Sequence, residues 1–430
     1  MSSVNLITLG CSKNLVDSEH LLARFRASGF EVMHNDFENK ADIVILNTCG
    51  FILDAKEESV DTILAYLEEK KRGNLKKLYV MGCLSERYRD ELELELPGVD
   101  GYFGVWDFPA ILDAVGSPRQ EQKKTARFLS TPPHYAYLKI SEGCNRTCSF
   151  CAIPGIRGRQ QSIPVETLME EARNLVRGGV KELILIAQDL SSYGTDLNRK
   201  KLLPQLLKEL VSLEGLEWIR LQYAYPTGFP EEVIDLMASE KKICRYLDIP
   251  IQHIHDDILS AMGRGHTRAK LEELLRKFRE KVPGVHLRTT VLTGFPGETR
   301  EHFDALTEFI SEFRFDRLGV FAYSHEENTP AYRQFRESLT DREKQERAAR
   351  IMEIQQDIAF QLNQEKVGQS MKVLIDRMEG DYYVGRTEFD SPDVDNEVLL
   401  SRSEELEVGT FYDVFIESAE EFDLYGRLVR

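Results

Sequence analysis

The chain has 430 residues, 42% of them hydrophobic and 30% charged, and a net charge of −17. That length exceeds one ordinary core and predicts two or three domains; no apolar run is long enough to span a membrane. Met1-Ser-Ser-Val-Asn lacks the basic start and apolar core of a secretion signal, and seven cysteines, an odd number, point to reduced cytoplasmic thiols rather than disulfides. The acidic average makes nucleic acid a poor default partner, although a local basic groove is compatible with it.

Residues 1–118 alternate strand and helix patterns. Val4–Gly10, Ala41–Thr48 and Lys77–Gly82 read as strands. Ser18–Ala27, with Leu21, Leu22 and Phe25 on one side, and Ser59–Lys71 read as helices. Repeated β-α units predict a parallel sheet covered by helices, with ligands gathering beyond the carboxyl ends of its strands. Cys11, Cys49 and Cys83 each follow such an end, and each has a glycine beside it (Gly10, Gly50, Gly82) that permits tight turns or close backbone approach. Three buried small hydrophobes would be the plain reading of these cysteines. Equivalent placement at three strand ends favours a three-cysteine metal site instead. The polar run 119–130 reads as a linker.

From 135 to about 325 six strand candidates recur, 135–143, 181–189, 218–226, 245–253, 286–296 and 317–325, separated by helical stretches. Six βα units make a partial parallel barrel, with chemistry expected at the carboxyl ends of the strands. After the first strand comes Cys144-Asn-Arg-Thr-Cys148-Ser-Phe-Cys151, a C-x3-C-x2-C spacing. Thiolates are soft ligands suited to iron–sulfur clusters, zinc or copper(I). A structural zinc site would want a fourth Cys or His, whereas the nearest downstream histidine is His253 and His134 lies at the far end of the strand. Three thiolates on one loop suit three irons of a four-iron cluster with the fourth left open. Gln188-Asp189, Gln252-His253 and Thr293-Gly294 through Thr299 fall at later strand ends and jointly outline a cofactor pocket facing that loop. Arg157 and Arg159 are read as pairing with a carboxylate or as solvated, with neither favoured, and Cys244 as a plain buried cysteine preceding a strand.

Residues 340–366 form a charged helix whose Ile351, Ile354, Ile358 and Leu362 stripe packs against the barrel. Five short strands follow: Met371–Asp376, Tyr382–Arg386, Asn396–Leu400, Thr410–Ile416 and Leu424–Val429. They predict a small antiparallel barrel of the oligonucleotide-binding type. Residues 364–430 hold 17 Asp and Glu against 7 Lys and Arg, a net of −10. Glu388, Asp390, Asp393, Asp395 and Glu397 cluster in one connection and Glu404, Glu405 and Glu407 in another. Such a barrel should repel a phosphate backbone and attract a basic protein.

The cysteine loop resembles that of the radical S-adenosylmethionine superfamily, and the three parts together resemble its methylthiotransferases. Within that family the runs Ile7–Glu19, Asn47–Ile52, Met81–Leu84 and Asp248–His253 look like the ribosomal protein branch. The resemblance implies an α/β multidomain protein: an N-terminal cluster domain (1–118), a radical core built as a partial (β/α)6 barrel (130–363) and a C-terminal TRAM barrel (364–430). It implies two 4Fe-4S clusters, one on Cys144, Cys148 and Cys151 and an auxiliary one on Cys11, Cys49 and Cys83. S-adenosylmethionine is then expected near Gln188, Gln252, Thr293 and Gly294. The implied activity is methylthiolation of the β-carbon of an aspartate in the decoding-centre small-subunit ribosomal protein, free or within the small subunit, by a cytoplasmic enzyme fed by an external electron donor. Transfer RNA is not expected as substrate. The alternatives are the sister enzyme acting on a transfer RNA adenosine, which needs a basic groove, and a non-catalytic iron–sulfur or zinc protein that binds RNA.

Overall fold

A computed structural model of the chain describes residues 2–117, 125–402 and 405–429. The N-terminal part is a parallel sheet of β1 (Ser3–Thr8), β2 (Glu31–His34), β3 (Ile43–Thr48), β4 (Lys77–Gly82) and β5 (Gly101–Tyr102), in the order β2-β1-β3-β4-β5. Strands β3 and β4 are apolar and nearly wholly buried, as parallel strands covered on both faces must be. Helices α1 (Ser12–Ala27), α2 (Leu53–Lys71) and α3 (Cys83–Glu95) supply the cover. The three expected strands are present. The short edge pairings β2 and β5 were not anticipated.

The central part is a parallel sheet of β6 (Tyr135–Lys139), β9 (Glu182–Ile186), β10 (Trp218–Leu221), β11 (Ile243–Asp248), β12 (His286–Thr293) and β13 (Arg317–Ala322), neighbours in chain order throughout. Between β6 and β9 a two-residue antiparallel pair, β7 (Ser141–Glu142) with β8 (Gln161–Ser162), pinches the cysteine loop at its base. Leu138, Leu185, Leu221, Leu247 and Leu287 face a helical layer that includes Leu168, Leu206, Phe278 and Leu306. The helix Asp341–Gln364 joins this core through Ile351 and Ile358, with Ile354 and Leu362 at its margin. Cys244 lies within β11 rather than before it, and is buried beside Trp218 and Tyr246.

Strands β14 (Ser370–Glu379), β15 (Tyr382–Thr387), β16 (Glu397–Ser401), β17 (Phe411–Ala419) and β18 (Asp423–Leu428) close into a barrel in the order β14-β15-β16-β18-β17. Four of its pairings are antiparallel, and the remaining one, β16 with β18, is parallel.

Because strand side chains alternate between faces, the opposite face of the central sheet carries Tyr135, Tyr137, Ile184, Ile186, Trp218 and Tyr246. Both flanking parts cover it. Leu15 and Val16 of α1 pack on the two tyrosines and two isoleucines. Leu374 and Phe411 of the small barrel pack on Trp218 and Tyr246, with the Phe411 ring edge-on to Trp218 at 4.7 Å. Buried ion pairs reinforce the second seam: Arg220 with Glu182 at 2.7 Å, Arg386 with the same Glu182 at 2.6 Å and with Asp376 at 2.7 Å. Asp390 meets Arg317 at 2.5 Å, and Asp395 meets Arg288 and the Tyr246 hydroxyl.

Two expectations are corrected here. Half of the stretch read as linker, Arg119–Lys124, lies outside the described residues. In the remainder Arg127 is buried and clasps Glu19 of α1 and Glu171 of the central part. The acidic connection read as a substrate-attracting surface is in part an internal seam: Glu388 binds Arg245 and Asp390 and Asp395 bind as above, whereas Glu397 pairs with Arg377 on the barrel's own half-exposed surface. Asp393 is exposed, and Glu404 lies outside the described residues.

Candidate functional site

Cys11, Cys49 and Cys83 stand at the carboxyl ends of β1, β3 and β4, three neighbours whose registers align Thr8 with Asn47 and Thr48 with Gly82. Their glycines are needed for different reasons. Gly10 (φ +87°) and Gly82 (φ +99°) turn through the left-handed region. A Cβ on Gly10 would also fall 2.8 Å from the Cys49 Cβ and 3.0 Å from its Sγ, and one on Gly50 would fall 2.7 Å from the Leu84 backbone. Side chains fix the turns. Ser59 accepts from the Cys49 N–H at 3.1 Å and donates to the Cys49 carbonyl at 2.9 Å. The Asn14 amide donates to the carbonyls of Leu9 and Thr48.

The other triad follows β7. Gly143 (φ +72°) places Cys144, whose N–H donates to Gly158 O at 3.1 Å. Ser149 donates its N–H to Met262 O and its hydroxyl to Ala261 O, fixing the middle of the loop. Arg264 directs Nη1 to the Cys148 Sγ at 3.3 Å, and Tyr225 OH lies 3.7 Å from that sulfur. The Tyr225 ring is held between the Arg146 and Arg264 guanidinium groups, at 4.2 and 4.1 Å. Arg146 is oriented by Asp189 at 2.8 Å.

Arg157 joins the two triads. It lies six residues after Cys151, is 2% exposed, and directs Nε to the Cys83 Sγ at 3.4 Å. Its other nitrogens reach Asp17, Glu142 and the Asn14 side-chain oxygen. Of the two arginines that sequence left undecided, Arg157 is therefore paired and Arg159 is exposed. Burial would raise the Glu142 carboxyl, but Lys139 and Arg157 outweigh it and hold it well below the ordinary range.

Burial pushes the thiols the other way, Cys83 and Cys151 up to about 12 and Cys144 up to about 11, with neighbouring thiols adding to the rise. A bound metal would hold such groups as thiolates, and the cations beside them (Arg157, Lys13, Arg146, Arg264) would offset the charge. Among the described residues no three cysteines bring their sulfurs within 4.8 Å of one another. Three thiolates in each triad are the soft donor set that an iron–sulfur cluster takes. The residues fit the group.

The anticipated pocket residues have different surroundings. Gln188 donates its amide to Glu142, leaving its buried Oε1 without a hydrogen-bond partner. Gln252, four residues past β11, adopts φ +70°, a left-handed backbone for a non-glycine residue. Such strain costs about 1–3 kcal/mol and concentrates at ligand sites. Tyr223 repeats it at the end of β10 (φ +68°), with Lys13 Nζ 3.2 Å above its ring. Thr293 is buried and bonded to Phe321 O and Lys344 O, and Gly294 lies against the Lys344 side chain. Sequence reading passed over Asn14, Ser59, Arg146, Tyr225 and Arg264. Asn14 and Arg146 carried a signal, the first in the same Gly-Cys-Ser-Lys-Asn run as Cys11 and the second between Cys144 and Cys148.

Comparisons with known proteins agree with this layout. Residues 3–104 match the family described as uncharacterized protein family UPF0004, residues 138–310 the radical SAM superfamily and residues 367–429 the TRAM domain. Among solved structures the fold is similar to that of the radical S-adenosylmethionine methyltransferase TsrM from Kitasatospora setae, solved with cobalamin and a [4Fe-4S] cluster. The TM-score is 0.55 at 18% identity over 77% of each chain. It is also similar to the cobalamin-dependent S-adenosylmethionine radical enzyme OxsB, with a TM-score of 0.52 at 13% identity over 82% of this chain and 56% of that one. Among the curated relatives named ribosomal protein uS12 methylthiotransferase RimO are two flavobacterial proteins. The one from Flavobacterium psychrophilum is 54% identical over 99% of this chain and 98% of its own, and that from Flavobacterium johnsoniae is 55% identical over the same shares. Identity of this degree along the whole length makes the chain a member of the ribosomal protein uS12 methylthiotransferase family of radical SAM enzymes.

Proposed function

We propose that the chain methylthiolates the β-carbon of an aspartate in ribosomal protein uS12, with S-adenosylmethionine and two 4Fe-4S clusters as cofactors. Cys144, Cys148 and Cys151 hold the cluster that binds S-adenosylmethionine, and Cys11, Cys49 and Cys83 hold the auxiliary cluster that carries the sulfur. The observation that supports this most directly is the pair of thiol triads at strand ends of two parallel sheets, joined by Arg157. The three functional units are taken as 1–118, 130–363 and 364–430. The enzyme works in the cytoplasm with an external electron donor, and the relatives favour the ribosomal protein branch over the transfer RNA branch.

When bound, the cofactors supply a radical able to remove hydrogen from an unactivated C–H, chemistry beyond any side-chain base. The chain's own residues position and shield. Arg264 and Tyr225 fix the Cys148 sulfur, Ser59 fixes the backbone of Cys49, and Arg157 holds Cys83 in register with the cysteine loop. Leu15 and Val16 seal the tyrosine-lined face beneath and exclude water. Gln188 keeps an unengaged Oε1 at a strand end where a cofactor's polar groups can bind, and Gln252 holds a strained backbone at another.

Anaerobic reconstitution tests the reading. Replacing Cys144, Cys148 and Cys151 together by Ala should remove about half the iron and abolish cleavage of S-adenosylmethionine. Replacing Cys11, Cys49 and Cys83 should remove the other half, yet leave cleavage to 5′-deoxyadenosine without methylthiolated product. Full iron in either variant would sink the assignment.

A further inference from the structure

Three of the chain's nine histidines lie together at the rim of the central sheet, outside the cysteine sites. His253 and His255 follow β11, and His302 lies in the helix Arg300–Phe313 that follows β12. The His255 and His302 rings face each other at 4.2 Å, tilted by 40°. The Asp257 carboxylate lies against both, with Oδ2 3.7 Å from His255 Nδ1 and 3.8 Å from His302 Nε2. One ligand atom from each residue fits within a 4.8 Å group.

We propose that His255, Asp257 and His302 form a binding site for a divalent transition-metal ion, with zinc the best fit. Two imidazoles and one carboxylate form a usual zinc donor set, with room left for water. Ligands on one tetrahedral zinc stand about 3.3 Å apart, so the two carboxylate-to-imidazole spacings need to close by about half an ångström. These side chains can make that move, since His255 and Asp257 are 32% and 79% exposed. The nitrogens have other partners that an ion would have to displace. His255 Nδ1 accepts from the Asp257 N–H at 3.3 Å as a helix cap, so the ion would take over that lone pair. His302 Nδ1 lies 3.2 Å from both the Thr299 N–H and the Gly297 carbonyl, and in the tautomer that gives up the Thr299 cap and donates to Gly297 its Nε2 is free for the ion. A ligating histidine whose second nitrogen donates to a backbone carbonyl is the usual arrangement around bound metals. A cavity of about 400 Å³ lined by Asp257, Pro296, His302 and Phe335 gives solvent access. The ion would tie the segment Asp256–Ala261, whose far end holds Ser149 of the cysteine loop, to the helix Arg300–Phe313.

The site stands independently of the proposed reaction and is tested on the holoprotein, whose thiols are already occupied by iron. Reconstituted protein is dialysed anaerobically against micromolar zinc chloride, both metals are counted, and crystals are examined at the zinc edge. Wild type should hold about one zinc per chain with undiminished iron, and an anomalous peak among His255, Asp257 and His302. His302→Gln keeps the helix cap and His255→Asn keeps an acceptor for the Asp257 N–H, so both should fold. Each should bind zinc at least about tenfold more weakly at unchanged iron content. Zinc binding equal to wild type in both variants, no zinc in wild type, or zinc gained only as iron is lost would each overturn the site.

Discussion

Arg157 shows how much one side chain can organise. Its guanidinium touches a thiol, two carboxylates and an amide from two domains while being 2% exposed. Removing one partner of a buried ionic group leaves the others uncompensated. Arg157→Met should therefore lower unfolding stability by about 3 kcal/mol, while Arg157→Lys, which keeps charge but loses the planar fork, should lose less; urea melts of the iron-free protein measure both. Asp390 gives a pH signature. Burial alone would raise its carboxyl, but Arg317 and Lys366 outweigh it and hold it at about 2. A carboxyl depressed in the folded state stabilises above its unfolded pKa, and that stability disappears as pH falls through the folded one. Between about pH 4 and pH 2, about 2 kcal/mol should be lost from this group. Asp390→Asn should flatten that part of the stability–pH curve; an unchanged slope would refute the assignment.

At the scale of elements the sequence was most legible where a period was long and apolar. All six central strands and the helix Asp341–Gln364 follow from periodicity, because buried parallel strands and an Ile stripe leave clear patterns. Strand β2 escaped because Glu31–His34 is short and not fully buried on any residue, and β5 because two residues carry no period. The placement of the cysteines was legible for a related reason: a strand end is a place, and the topology brings three such places to one edge of a sheet. Arg264 and Tyr225 were not, since nothing local says that residues about 75 and 115 positions beyond Cys148 fold back onto its sulfur. Gly10 tests the turn geometry. With φ +87° and only 2.8 Å between an added Cβ and that of Cys49, Gly10→Ala should push Cys49 aside and cost about half of the reconstituted iron, while the Cys144 triad keeps its share. The capping box of the long helix, Thr340 with Glu343, makes a milder case: Thr340→Ala should cost about 1 kcal/mol in thermal or urea unfolding.

Across the whole molecule, charge was legible in amount but not in place. The acidic excess of the last 67 residues is real, yet a sequence does not separate carboxylates that face water from those that meet an arginine across a seam. Arg220, Arg288 and Arg317 sit singly on three different strands, so the basic partners of Asp390 and Asp395 form no local pattern. Asp395→Lys should consequently loosen the small barrel, seen as a lower melting temperature and faster proteolysis between residues 364 and 370. Asp381→Lys, on an exposed turn, should leave stability within about 0.5 kcal/mol. If attraction of a basic substrate matters, it rests on exposed groups such as Asp381, Glu405, Glu407 and Asp413, and reversing these should slow association at low salt more than at high salt.

The sheet face shared by Trp218, Tyr246, Leu374 and Phe411 has a consequence for modularity. Domains joined by linkers can be exchanged between relatives like beads on a string. Here the central sheet would show solvent two aromatic rings and the Glu182–Arg220 pair if its small barrel were removed, so core and barrel must diverge together. A hybrid of two family members that crosses over near residue 364 should stay soluble only when both parents present matching residues at 220, 288 and 317 on one side and at 386, 390 and 395 on the other.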